Sequence, residues 1–342
     1  MQQAKRRRQM ISIVKALLPE KVLGVLRDVR EYPLYPGRTL RPDTFFASRA
    51  FFFLVVLLNP LEFLSRVKHG RKMSSKAGWE VLDDDGFCLA DMRNFAPAKR
   101  CLKFCHSVIK DVDFDEMARK SKKPFLVTYD LDQNDSANLP VTEFALHPQV
   151  LGTVSRYIGS MPVLLKSSIW YSNGEDCHGR SQLFHLDGED VRTIKLLLML
   201  DDVDELTRPF TVLPAKKSAE AYRLLKRDGR IKIRNEKIPD EVFFSFTEKS
   251  NIVPLVGYAG TAAFVDPTRC YHFGSRKGKK PRWLLMLHYQ SAFSSDLPVV
   301  GKRKQLPSLV SDVFDKNVGT EVLGYTHQHI IELKKARQAL KV

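Results

Sequence analysis

Two histidines and an aspartate stand out for their type and spacing. The segment Ser181-Gln182-Leu183-Phe184-His185-Leu186-Asp187 sets an imidazole and a carboxylate two residues apart. The segment reads as a strand, where alternate side chains share a face. His185 and Asp187 then point the same way, together with Leu183. A second histidine, His272, follows 87 residues later in Cys270-Tyr271-His272-Phe273-Gly274, at the end of another predicted strand. Two histidines and one carboxylate form the facial triad of non-haem Fe(II) oxygenases. Such a triad leaves three metal positions open, as a bidentate 2-oxo acid and dioxygen require.

Arg282 follows His272 by ten residues and opens the apolar run Arg282-Trp283-Leu284-Leu285-Met286-Leu287-His288-Tyr289. The interval 275–281 is basic and turn-forming, so a hairpin is expected to bring Arg282 beside the metal. Its forked guanidinium can bind a carboxylate through two parallel hydrogen bonds, which suits the far carboxylate of 2-oxoglutarate. A lone His-x-Asp is common and is ordinarily a polar surface pair. The ordered set of His-x-Asp, a later strand histidine and a strand-opening arginine is more specific. His288 is set aside as a ligand because no arginine follows it at the proper distance. Cys101-x-x-x-Cys105-His106 reads as helix packing, and Trp170, Tyr171 and Arg180 lie near the metal strands as pocket candidates.

The elements that must position these residues are short and mostly β. Strand-like runs fall at 124–129, 163–171, 181–187, 193–200, 209–213, 251–256, 260–265, 271–273 and 282–290, separated by turns. That many short strands predicts a sandwich or barrel. A helix is expected over 97–111, a helical insertion near 219–227 and a basic helix over 328–340. The chain has 342 residues, with hydrophobic residues at 44% and charged residues at 27%. Those values exclude wholesale disorder. Five scattered cysteines without a Cys-x-x-Cys pair argue against a disulfide framework or a zinc ribbon, and for a reducing, cytoplasmic setting.

Residues 1–78 differ from the rest. They hold sixteen Lys/Arg and five Asp/Glu, most of a whole-chain net charge of +16. Residues 9–28 show amphipathic helical spacing interrupted at Pro19, and 32–43 read as a Pro-rich loop. The run Ala50–Leu58 is uncharged and apolar, but too short for a simple span of about 20 residues. Two readings stand for it: a helix buried on the main domain, or a monotopic insertion beside a cationic face. The basic excess fits either a phosphate-bearing partner, such as an anionic membrane, or a solvated face. Its confinement to the N-terminal part argues against a nucleic-acid-coating protein. A basic, small-residue linker is expected over 68–78. The domain organisation read here is 1–78, a basic helical N-terminal region; 79–300, the oxygenase domain; and 301–342, a C-terminal helical extension.

At these residues the sequence resembles the phytanoyl-CoA dioxygenase-like family of iron- and 2-oxoglutarate-dependent oxygenases. The resemblance covers roughly 79–293. It runs from Gly86-Phe87 through Gln182-x-x-His185-x-Asp187 to Leu196-Leu197-Leu198-Met199-Leu200-Asp201-Asp202. It continues through Arg208-Pro209-Phe210-Thr211-Val212-Leu213-Pro214-Ala215-Lys216-Lys217-Ser218, where the family shows a "gp-l-v-lPGSHk" pattern. Gly260–Asp266, His272-Phe273-Gly274 and Arg282 complete it. Phe184 stands where the family often has Trp, and Ala215-Lys216-Lys217 replaces Gly-Ser-His. The resemblance implies a double-stranded β-helix, or jelly roll, with flanking helices. It implies Fe(II) held by His185, Asp187 and His272, with 2-oxoglutarate as cosubstrate and dioxygen as oxidant. Arg282 would pair with the distal carboxylate. Gln182, whose strand parity opposes His185, would help to position the cosubstrate. The implied activity is hydroxylation of a C–H bond in a small-molecule or lipid-linked substrate, with succinate and CO2 as coproducts. The rival readings are a non-catalytic β-helix binding module, an oxygenase of nucleic acid or protein, and a cupin-type metal enzyme using no 2-oxo acid.

Overall fold

The computed structural model describes residues 45–294, apart from 59, 122, 124, 133–134, 174–179, 189, 275, 277 and 279. The helices expected over 9–28 and 328–340, the loop over 32–43 and the whole segment 301–342 lie outside the described residues. A helical pair comes first, α1 (Phe45–Leu58) and α2 (Pro60–Ser74). The helices α3 (Ala96–Asp111), α4 (Phe114–Lys120), α5 (Leu139–Ala145) and α6 (Pro148–Ile158) surround the start of the sheets. The helices α7 (Ala215–Arg227) and α8 (Asp240–Phe243) interrupt them later.

Among the described residues, nine strands form two antiparallel sheets. They are β1 (Phe87–Asp91), β2 (Val127–Asp130), β3 (Pro162–Ser172), β4 (Thr193–Met199), β5 (Phe210–Val212), β6 (Val253–Leu255), β7 (Thr261–Val265), β8 (His272–Phe273) and β9 (Arg282–Ser291). The larger sheet runs β1-β7-β4-β9-β3-β2 and the smaller β6-β5-β8. Bridges from His185 to His272 and from Phe184 to Ile238 extend the smaller sheet by one more short segment. From β3 onward the chain crosses repeatedly between the sheets, the connectivity of a jelly roll. The fold is thus mainly β with flanking helices and a double-stranded β-helix core.

The central strands are apolar on both faces because both faces are covered. On β4 and β9, Ile194, Leu196, Leu198, Leu285, Leu287 and Tyr289 pack under the helices. Their neighbours Leu197, Met199, Leu284 and Met286 fill the space between the sheets with Phe210 and Val212. Gly86 sits where three pieces converge. Its φ is +70°, and an added Cβ would stand 2.7 Å from Cys270 Sγ and 2.8 Å from Ala215. Its carbonyl accepts from Asp266 N, at the root of the segment that carries His272.

Three sequence expectations change. The stretch 68–74, expected as linker, is the second half of α2, whose Gly70 lies flat against the backbone of Ser160 and Met161. Residues 180–187 are not a continuous strand: Arg180–Gln182 form a 3-10 turn, and only Phe184 and His185 make bridges. The connection from β8 to β9 is not a hairpin, since the two strands belong to opposite sheets. The apolar run Ala50–Leu58 lies within α1 and buries only one face. Phe51 and Val55 pack with Val163, Ala292 and Phe293. Among the described residues no helix is long and apolar enough to cross a membrane.

Candidate metal centre

His185 and His272 are joined through their backbones, each N–H donating to the other's carbonyl at 3.0 Å. Asp187 N donates to Pro267 O at 2.8 Å, which anchors the third residue to the same loop. Ligand atoms of His185, Asp187 and His272 all lie within 4.8 Å of one another, so the three could hold a metal ion. Asp187 Oδ1 is 3.7 Å from His185 Nε2 and 3.8 Å from His272 Nε2. Such near-equal spacing suits three ligands around one ion.

The hydrogen bonds fix which nitrogen faces that point. His185 Nδ1 is 2.8 Å from the Leu183 carbonyl, and His272 Nδ1 is 3.0 Å from the Cys270 carbonyl. A carbonyl can only accept, so each Nδ1 carries the proton and each Nε2 presents a lone pair. That is the outer-shell arrangement metal-binding histidines need. Electrostatics agree. Burial, then repulsion from His272, pushes the His185 pKa well below its ordinary value. Burial takes His272 down to about 4. Both rings are neutral at pH 7. Burial would raise the Asp187 carboxyl, but Lys195 and the two histidines outweigh it and hold the pKa well below the carboxylate range.

Lys195 Nζ donates to Asp187 Oδ2 at 2.6 Å, leaving Oδ1 toward the histidines. Lys195 was not singled out by motif, although the signal exists: it is the one charge in the buried run Thr193–Leu200. Phe210 stacks on the His272 ring, centroids 4.9 Å apart and planes 20° apart. His288 pairs in register with Lys195 across the sheet. It is buried, held down to about 3 by desolvation and by Lys195, and it is not one of the three clustered ligands.

Arg282 points into the space between the sheets, on the same face of β9 as Leu284 and Met286. Its Nη1 donates to the Arg208 carbonyl at 2.5 Å and its Nη2 to Ser172 Oγ at 3.3 Å. Arg208 is two residues from Phe210, at most about 7 Å of chain. The segment that accepts from Arg282 thus leads within two residues to the ring stacked on His272. Burial, then the nearby Arg208 charge, lowers the Arg282 pKa to about 9, so it remains cationic at pH 7. Arg208 itself was missed. It holds a left-handed backbone, φ 58°, and it donates to the Gly278 carbonyl.

The other sequence candidates fall as follows. Gln182 is buried on the 3-10 turn three residues before His185, so the strand parity that set it apart from the histidine does not apply. Trp170 packs on the inter-sheet cluster. Tyr171 stacks on Trp283 beneath the helices and donates to Asp115, away from the triad. The side chain of Arg180 lies outside the described residues. Cys101 and Cys105 are buried in helix packing.

A buried arginine that no motif announced ties the ligand loops together. Arg234 donates to the carbonyls of Asp190 and Thr268, and to Ser48 Oγ of α1 at 3.0 Å. It links the chain after Asp187 to the chain before His272.

No protein-family model matches this chain, and no curated protein does. Solved structures do show likeness. EctD from S. alaskensis, with 2-oxoglutarate and 5-hydroxyectoine, is 16% identical over 65% of this chain and 76% of its own, with a TM-score of 0.44. HygX from Streptomyces hygroscopicus, with nickel and 2-oxoglutarate, is 14% identical over 61% and 84%, with a TM-score of 0.41. The epimerase SnoN, in complex with Fe3+, alpha ketoglutarate and nogalamycin RO, is 14% identical over 70% and 91%, with a TM-score of 0.38. Likeness at this level carries no functional weight; the chemistry rests on the side chains described above.

Proposed function

We propose that this protein is an Fe(II)- and 2-oxoglutarate-dependent dioxygenase that hydroxylates a C–H bond of a small-molecule or lipid-linked substrate. The observation that carries the reading is the convergence of two histidine Nε2 atoms and one carboxylate oxygen, with both Nδ1–H groups committed to carbonyls. Bound Fe(II) and 2-oxoglutarate would supply the oxidative chemistry, one atom of dioxygen entering the substrate and the other entering succinate as CO2 leaves. His185, Asp187 and His272 would hold the metal through two imidazole nitrogens and one carboxylate oxygen. Lys195 keeps Asp187 turned so that a single oxygen faces the ion. Arg282 receives the distal carboxylate of the cosubstrate, and Gln182 assists in its placement. The free thiols of Cys88, Cys101, Cys105 and Cys270 fit a reducing, cytoplasmic setting.

The test is succinate formation from 2-oxoglutarate by anaerobically purified protein given Fe(II) and then air. Wild type should form succinate in an iron-dependent way, and His185→Ala should not. Arg282→Gln should raise the half-saturating 2-oxoglutarate concentration by roughly 10- to 100-fold, the worth of a charged hydrogen bond, with iron binding retained. Failure of wild-type protein to bind either iron or 2-oxoglutarate would favour a non-catalytic β-helix module.

A further inference from the structure

The pair α1–α2 is held to the domain by one face and displays the other. Phe51, Val55, Arg66, Gly70 and Met73 are buried. The outward positions follow the helical repeat. On α1 they are Arg49, Phe53 and Leu57; on α2 they are Leu61, Leu64, Lys68, Arg71 and Lys72. Phe53 is 63% exposed, Leu57 75%, Leu61 81% and Leu64 62%. These four flank the turn between the helices. The exposed cations lie toward the opposite ends of the same stripes, about 12 Å from Leu57 on α1 and about 10–16 Å from Leu61 on α2 by helical rise. Over residues 45–78 the chain has six Lys/Arg and one acid, Glu62. An apolar corner with a cationic collar is the profile of an interfacial anchor, where apolar depth and anionic headgroups act together.

We propose that the α1–α2 pair is a monotopic membrane anchor whose exposed corner, Phe53, Leu57, Leu61 and Leu64, enters the acyl boundary while Arg49, Lys68, Arg71 and Lys72 meet anionic headgroups. The charge pattern selects this occupant, since an apolar protein groove would give no use to a collar of cations set back from the corner. The anchor is rooted near the metal centre. Along β9 the inter-sheet face runs Arg282, Leu284, Met286, His288, Gln290, and then Ala292, which packs against Phe51 and Val55 of α1. Arg234 joins Ser48 of α1 to both ligand loops. This proposal does not rest on the oxygenase reading, and its test does not involve turnover.

The experiment is flotation of the full chain with phosphatidylcholine vesicles, with and without a third of phosphatidylglycerol. The wild type should associate at least about tenfold more with the anionic vesicles. Leu57→Ser/Leu61→Ser should lose association with both. Lys68→Gln/Lys72→Gln should lose only the anionic preference and its salt sensitivity. Leu61→Trp should show additional emission that brominated acyl chains quench. No association, equal association of wild type and Leu57→Ser/Leu61→Ser, or no quenching would overturn the proposal. So would a dimer that Leu57→Ser/Leu61→Ser converts to monomer, which would assign the corner to a second copy. Shielding of Leu61→Trp from aqueous acrylamide in lipid-free monomer would assign it to cover by another part of the chain, and would also overturn it.

Discussion

The inter-sheet space and the α1–α2 corner invert each other's composition. The first buries His288, Arg208 and Arg282, and half-buries Asp187 and Lys195, where apolar side chains would pack at lower cost. The second leaves Phe53, Leu57, Leu61 and Leu64 in solvent although burial would be favourable. Folding alone rewards neither choice. Where local rules for stability are broken in a structured element, function is the usual compensation. The two regions meet at α1, where ordinary packing resumes.

The meeting point gives the largest expected effect. Phe293 is fully buried, with the rings of Phe52 and Phe63 edge-on at 6.1 and 5.4 Å. Phe293→Ala should cost about 3–5 kcal/mol in urea unfolding. A loss below about 1 kcal/mol would mean that the helical pair is not bound to the domain as described.

Acid comes next. An unfolded histidine takes its proton near pH 6.5, whereas folded His272 waits until about 4 and His288 until about 3. Between those values the unfolded chain binds more protons, so stability falls as pH drops below about 6.5. The loss should reach about 2 kcal/mol per histidine by pH 5, at about 1.36 kcal/mol per pH unit. Denaturant midpoints of metal-free protein should show this limb, and His288→Leu should make it shallower. An unchanged midpoint from pH 7 to pH 5 would contradict the burial of these rings.

Much of this was legible in the sequence. The triad could be read because strand alternation and motif order constrain it even where the strand shrinks to two bridged residues. The inward placement of Arg282 was legible because it opens an apolar run as its single cation. Lys195 and Arg208 were harder. Lys195 belongs to no motif and Arg208 merely opens one, and what gives them a role is a neighbour brought close by the fold, Asp187 for one and Arg282 for the other. Arg234 left no signal, since its partners are carbonyls far off in the chain and carbonyls have no sequence identity. The helices α4 and α5, seven residues each, also passed unannounced, being too brief for a periodicity to declare itself, and the eleven-residue α6 was passed over.

Lys195 offers a finer test of the buried charges. Lys195→Met should weaken Fe(II) or Mn(II) binding to the apo-protein by about tenfold or more, as loss of an outer-shell partner does. Calorimetric titration would check it, and an unchanged affinity would reduce Lys195 to a structural counter-ion. The smallest effect should be at the exposed corner of α1–α2. Leu61→Ser should move folding stability by no more than about 0.5 kcal/mol, because the side chain has little to lose. A larger loss would mean that the corner is covered in the free protein.

The reciprocal backbone bonds between His185 and His272 carry a kinetic consequence. They pair residues 87 positions apart, with β4 to β7, α7 and α8 in the intervening chain. Contacts of such long sequence separation form late, since the entropy of closing the loop comes before any return. The three clustered side chains therefore come together only when the smaller sheet closes. Uptake of a spectroscopically visible metal such as Co(II) during refolding would time that closure, and should coincide with the slowest phase rather than precede it.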